Sequence, residues 1–317
     1  MVKRKVILDC DPGHDDAISI ILAASKESPL QIEAITTVAG NVDLEKCTYN
    51  ALNVCEMIGL DVPVAMGAEK PLLGKKVTAG DFHGESGLDG PELPSVPVRK
   101  PVDQHAVDLI IEKVLESEQK ITLVPTGPLT NIALALMKEP KIKENVEEIV
   151  LMGGGTFGNW TPTAEFNIWV DAEAAEVVFE SGVPIAMFGL DVTHLALADR
   201  EVMDRVAAVD HPVAHFVFEL LEFFSKTYKD VFNFEAGPIH DACTAMYLMN
   251  PDLFEFKHVH VDIETKGEYT KGMTSVDLLG VTKKPPNVHF AVHLHQHSFW
   301  DRFEEALKSY AEAPGHL

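Results

Sequence analysis

The run Ile7-Leu8-Asp9-Cys10-Asp11-Pro12-Gly13-His14-Asp15-Asp16 sets four carboxylates within eight residues, directly behind an apolar opening. Like charges this close raise one another's cost of ionisation. A hard cation bound through oxygen reverses that balance, because its charge outweighs the mutual repulsion. The turn chemistry agrees: Pro12-Gly13 breaks the strand and leaves Asp9 and Asp11 at its end. Asp15 and Asp16 then open a helix expected over 16–25, near its positive dipole end. A helix cap with solvated charges is the plainer account, and four acids around one Pro-Gly turn fit it poorly. The cluster reads as a metal site.

Other segments carry residues of the right types with weaker signals. Gly237-Pro238-Ile239-His240-Asp241 offers Asp241 as a further ligand and His240 as an acid or base. Gly158-Asn159-Trp160 and Glu165-Phe166-Asn167 combine donors and acceptors in a way that suits a polyol such as a sugar, or simply polar loops. The glycine-rich stretch from Phe82 to Gly90 carries His83 and reads equally as a lid or a plain surface loop. Residues 223–235 add Tyr228 among phenylalanines, a second flap or an ordinary amphipathic helix. His289, His293, His295 and His297 fall at even spacings, with His258 and His260 repeating the pattern; they admit transition-metal binding but read better as side-by-side imidazoles on one exposed strand face, and stay outside the site.

Positioning these residues falls to alternating strands and helices. Apolar runs at 6–8, 32–38, 62–65, 121–124, 149–152 and 185–188 read as buried strands. Helical spacing appears at 103–116, 131–137 and 172–181, the last stopped by Gly182. Such alternation predicts an α/β fold: an open, largely parallel, Rossmann-like sheet with helices on both faces. Residues 257–292 read as extra strands of a small accessory lobe, closed by a helix over 299–310, with 1–317 as a single domain. In such sheets ligands bind beyond the carboxyl ends of the strands. Asp9 and Asp11, Gly40-Asn41, Thr126-Gly127-Pro128, Gly153-Gly154-Gly155 and Asp191 all fall there.

Bulk properties narrow the partners. The 317 residues carry 49 acids against 26 bases, a formal charge of −23 that repels nucleic acid and anionic membranes. Neither is expected as a partner. No run of about 18 apolar residues is long enough to span a bilayer. Basic residues 3–5 precede only Val6-Ile7-Leu8, too short for a secretory apolar region. The four cysteines have no zinc-like or paired spacing. A cytoplasmic protein with reduced thiols is expected.

Collinear along the chain, these motifs resemble the inosine-uridine nucleoside hydrolases. The opening Asp9-Cys10-Asp11-Pro12-Gly13-His14-Asp15-Asp16 looks like that family's signature. So do His83-Gly84-Glu85-Ser86-Gly87, Thr126-Gly127-Pro128-Leu129-Thr130-Asn131, Met152-Gly153-Gly154, Glu165-Phe166-Asn167 and His240-Asp241. Gly158-Asn159-Trp160-Thr161-Pro162 makes the chain most similar to the bacterial pyrimidine-preferring members. The resemblance implies Ca2+ held by Asp11, Asp16, Asp241 and the carbonyl of Thr126. It implies hydrolysis of the N-glycosidic bond of ribonucleosides, with Asp11 taking a proton from the attacking water. Asp15, Asn41, Asn159, Glu165 and Asn167 would hold the ribose. Tyr228 is placed with them as a substrate contact. His240 and His83 would assist departure of the base. Uridine and cytidine are the expected substrates, in nucleoside salvage, by a homotetramer or dimer. Asp9 is assigned to support, and Asp191 has no role.

Alternative readings remain within and outside that family. A purine-preferring or nonspecific nucleoside hydrolase shares the same motifs. A phosphatase of the haloacid dehalogenase type also pairs aspartates after its first strand, but places Thr or Val where Gly13 stands. A calcium-binding module without catalysis would need neither His240 beside Asp241 nor a polyol-binding set on separate loops.

Overall fold

The computed structural model describes residues 3–311. Nine strands form its sheet: β1 (Arg4–Cys10), β2 (Leu30–Thr37), β3 (Val64–Met66), β4 (Ile121–Pro125), β5 (Val146–Met152), β6 (Ile185–Phe188), β7 (Phe254–Ile263), β8 (Thr274–Asp277) and β9 (Val288–Leu294). Their order across the sheet is β3-β2-β1-β4-β5-β6-β9-β7-β8. From β3 to β9 the neighbours run parallel, whereas β7 is antiparallel to both β9 and β8. The accessory strands expected within 257–292 are therefore this sheet's mixed edge.

Side-chain alternation explains why the apolar runs are continuous. Val6, Leu8 and Cys10 of β1 enter the core on one face, and Ile7 enters the core on the other. Phe188 and Met187 of β6 divide in the same way. A strand covered on both faces needs apolar residues at every position, not at alternate ones. Helices His14–Ala23, Leu44–Ile58, Pro212–Phe232, Ala242–Met249 and Gln296–Ala311 cover the first face. Helices Ala106–Glu116, Thr130–Lys138 and Ala172–Phe179 cover the second.

Two local differences from expectation have physical causes. The first helix starts at His14, because the Asp16 carboxylate accepts the Gly13 N–H at 3.1 Å and caps it. Helix Leu44–Ile58 is not evident in the periodicity, because its buried side includes Thr48, Asn50 and Asn53. Asn50 uses its amide to hold the carbonyls of Pro12 and Ser86 at 3.0 and 2.9 Å, so a polar side chain does tertiary work in an apolar position. The histidine run also divides. His289 and His293 lie in β9, but His295 and His297 fall beyond its end, so the even spacing does not describe one strand face. No helix among the described residues is long and apolar enough to cross a membrane.

Candidate active site

Chain order reverses between β1 and β4: the strands on one side are β2 and β3, and those on the other are β5 and β6. Loops leaving the two strands must part there, which opens a crevice at their carboxyl ends. Asp9 pairs with Pro125 across this seam, and Asp9 accepts the Thr126 N–H through its carbonyl at 2.9 Å. The aspartate run and the Thr126 loop thus form opposite lips of one crevice. Of the twelve residues expected in the site, all but Asp11 and Asp16 line a single cavity there. Those two lie directly beneath it and are fully buried.

The floor is acidic. Asp11 Oδ2 accepts the Asn41 backbone N–H at 2.8 Å, while its Oδ1 is buried without a partner. Asp16 accepts from Thr126 Oγ1 at 2.7 Å and from Asn41 Nδ2 at 3.1 Å. Carboxylate oxygens of Asp15, Asp16 and Asp241 lie within 4.8 Å of one another. Burial first, then the charge of Asp16, holds Asp11 well above the usual carboxylate range. Asp241 is raised likewise by burial and by Asp15. Burial and Asp16 push Asp15 up to about 7. Among the described residues, no lysine or arginine lines the cavity to relieve this repulsion. An all-oxygen donor set, an orphaned carboxylate oxygen and no protein cation fit a hard metal ion. Asp9 stands behind the floor: Thr36 and Asn131 donate to its Oδ1 at 2.6 and 2.8 Å, and burial pushes it up to about 7.

On one wall, Glu165 caps helix Phe166–Val170. Its carboxylate accepts N–H groups of Gly154, Asn167 and Ile168 at 2.8, 2.9 and 3.2 Å. That fixes its orientation and leaves part of its acceptor capacity facing the cavity. Asn167 Nδ2 donates to the Thr126 carbonyl at 2.7 Å and so sets the lip that faces the carboxylates. Asn159 Oδ1 accepts the Phe166 N–H at 3.0 Å, which leaves its amide hydrogens for a ligand. Both amide-hydrogen contacts of Asn41 Nδ2 go to Asp11 O and Asp16 Oδ2, leaving Oδ1 as its ligand-facing group.

The opposite wall comes from helix Pro212–Phe232. Phe224, Tyr228 and Phe232 recur at four-residue spacing and line the cavity together. Residues 223–232 are thus the last turns of an amphipathic helix whose apolar stripe is the wall. Tyr228 Oη lies 2.7 Å from His240 Nε2, and Thr193 Oγ1 lies 2.8 Å from His240 Nδ1. Burial, then the neighbouring His194, holds His240 well below the usual imidazole range, so its ring is neutral. Burial and the charges of Asp15, Asp241 and Glu165 hold the Tyr228 hydroxyl protonated. His83 contacts His14, Nδ1 to Nδ1 at 3.2 Å, and His14 Nε2 lies 2.8 Å from the Asp89 carbonyl. Burial pushes His14 down to about 4 and His83 well below its usual range. The glycine-rich loop is closed on itself, because Asp89 accepts N–H groups of Glu85 and Ser86, each at 3.1 Å, and is tied to the helices by His14 at the Asp89 carbonyl and Asn50 at the Ser86 carbonyl.

Sequence reasoning missed Thr193, Asn131 and the His14–His83 contact. Thr193 and Asn131 are buried polar residues in otherwise apolar stretches, and that mismatch was the available signal. Nothing local pairs Thr193 with His240, which is 47 residues away.

The sequence profile described as "Inosine-uridine preferring nucleoside hydrolase" matches residues 6–301. A protein of Shewanella woodyi named pyrimidine-specific ribonucleoside hydrolase RihA is 48% identical, covering 97% of this chain and 99% of its own. One of the same name from Escherichia coli O81 is 46% identical, over 96% and 99%. Among solved structures, a purine-preferring ribonucleoside hydrolase from Gardnerella vaginalis superposes with TM-score 0.89 at 31% identity, covering 98% and 99% of the two chains. The chain belongs to the inosine-uridine preferring nucleoside hydrolase family and is an N-glycosyl hydrolase of ribonucleosides.

Proposed function

We propose that the enzyme hydrolyses pyrimidine ribonucleosides, uridine and cytidine, to ribose and free base in nucleoside salvage, with calcium at its acidic floor. The observation that carries this reading is the polarity of one cavity. Its lining joins the carboxylates Asp15, Glu165 and Asp241, the Tyr228–His240 pair, and the rings of Trp160, Phe166 and Phe224. A ribose suits the carboxylates and amides, and a planar base the aromatic rings. The pyrimidine preference is supported by the names of the relatives from Shewanella woodyi and Escherichia coli.

Asp11, Asp16, Asp241 and the Thr126 carbonyl would hold the ion, supplying about five of the roughly six to eight oxygens calcium takes if Asp16 is bidentate. When bound, calcium supplies positive charge that keeps the carboxylates ionised, acidifies water and receives ribose hydroxyls. Asp11 accepts the proton of the attacking water. Its Oδ2 is held by Asn41, so the unpartnered Oδ1 is the free acceptor. Asp15, Asn159, Glu165, Asn167 and Asn41 Oδ1 hold the ribose and fix its anomeric carbon against that water. Positive charge developing on the sugar is stabilised by the same carboxylates.

At the base, neutral His240 has one donor and one acceptor nitrogen. With Thr193 donating to Nδ1, the Nε2–H of His240 donates to Tyr228, whose own hydroxyl hydrogen is then free for the departing base. A proton or a strong hydrogen bond reaches the leaving group by that line. His83 would assist at the base beside this line. Its Nδ1 accepts the His14 backbone N–H at 3.4 Å and lies 3.2 Å from His14 Nδ1, contacts that hold its ring against the wall of the cavity.

The reading extends to a homotetramer or dimer working in the cytoplasm, where four buried, unpaired thiols stay reduced, and to 1–317 as one domain on one sheet. Release of reducing sugar from uridine, cytidine, inosine, adenosine and thymidine in phosphate-free buffer tests the substrate class. Faster release from uridine and cytidine supports the proposal. Inosine hydrolysed as fast or faster would shift it to a purine-preferring or nonspecific enzyme.

A further inference from the structure

The histidines at the sheet's mixed edge take no part in hydrolysis, and most have local partners. His258 and His289 stack across β7 and β9 with ring centroids 4.3 Å apart. His260 lies 2.8 Å from the Pro285 carbonyl and 3.0 Å from Asp262. His297 faces Asp301 at 3.5 Å. His293 and His295 differ. With Glu255 they form, among the described residues, the one group outside the active site whose candidate ligand atoms all lie within 4.8 Å of one another.

The fold builds this convergence. Glu255 and His293 are opposed across β7 and β9, and the register slips immediately after Glu255. His295 opens the last helix: its N–H donates to the Leu253 carbonyl, and its carbonyl accepts the Phe299 N–H, each at 2.9 Å. Glu255 Oε1 is 3.7 Å from His295 Nε2, and the two imidazole centroids are 5.1 Å apart. Zinc bonds of ~2.0–2.2 Å in a tetrahedron set donors about 3.3–3.6 Å apart. Small side-chain rotations at this exposed position bring all three donors onto one ion.

We propose that Glu255, His293 and His295 form a surface site for a borderline divalent transition metal of the zinc class, which clips β7 and β9 to the final helix. Two imidazoles and one carboxylate favour such an ion over calcium, and the net charge of −23 draws cations toward the protein. β5 and β6 separate these strands from the β1–β4 crevice, so occupancy leaves hydrolysis unchanged.

The test is calorimetric titration of untagged protein with zinc in millimolar calcium, which occupies the acidic floor. One zinc per chain is expected. His293→Ala and His295→Ala should weaken it by more than the roughly 10–100-fold that loss of a supporting contact costs. The isosteric Glu255→Gln should weaken it too, while His258→Ala keeps full affinity. Uridine hydrolysis unchanged in every variant certifies the fold. Zinc should raise the melting temperature of the native protein and not of His295→Ala. The proposal is overturned by no zinc uptake, by equal affinity in the His293→Ala/His295→Ala double variant, or by equal loss in His258→Ala.

Discussion

Tyr228→Phe removes one oxygen, 2.7 Å from His240 Nε2, and leaves the rest of the wall intact. His240 is buried, so its Nε2 then faces an apolar ring without a partner. Leaving a buried donor unsatisfied costs about 1–3 kcal/mol. Lost wholly in the transition state, that is roughly a 5- to 150-fold fall in kcat. His240→Phe removes the whole line and should cost more, in the range of about 10²–10⁴ for a general acid. Initial rates with uridine and with 4-nitrophenyl riboside separate this role from simple damage. Nitrophenolate needs no proton to depart, so its release should change little in either variant. An equal fall on both substrates refutes the relay. Because burial keeps His240 neutral, no limb assignable to it should appear near pH 6.5 in the uridine rate profile.

Further outcomes follow from the floor. Asp11→Asn should abolish detectable turnover, and it should raise the melting temperature of calcium-free protein because a buried acid beside Asp16, with one oxygen unpartnered, is gone; retained turnover would remove Asp11 as the base. Gly13→Ala would set a Cβ 2.4 Å from His83 Nδ1. Overpacking of about 1–3 kcal/mol should lower both the melting temperature and kcat/KM, as thermal denaturation and kinetics would show. Calcium-free protein has a defined pH response. Asp9, Asp15 and Glu165 sit at about 7 when folded, against about 4 unfolded. The native state therefore holds the extra protons, and stability falls as pH rises through that window. His14, His83 and His240, held neutral, act oppositely but only up to about pH 6.5. Scanning calorimetry should thus find a lower midpoint at pH 8 than at pH 6.5, with added calcium removing the slope. Calcium binding at pH 6 should also release protons, seen as a buffer-dependent heat.

The parts of the molecule that were legible in sequence are those where local chemistry is itself unusual. Buried strands such as β1 and β6 advertise themselves as unbroken apolar runs, because helices cover both faces. The aspartate cluster is conspicuous because only a charged ligand makes it tolerable. Helix Leu44–Ile58 was obscured by Asn50 and Asn53, whose amides serve distant carbonyls. The Thr193–His240–Tyr228 line was invisible for another reason. Its members come from three segments 12 to 47 residues apart that meet only in the folded chain, and no local spacing encodes that meeting. Likewise, the evenly spaced histidines from His289 onward mimic a strand face until β9 ends before His295.

The most direct test of the central claim is uridine hydrolysis in phosphate-free buffer, measured before calcium is chelated, after it, and after calcium is restored. Ribose and uracil should appear in equal amounts, stop on chelation and resume on repletion. Turnover unaffected by chelation, or no ribose with calcium bound, would contradict the account.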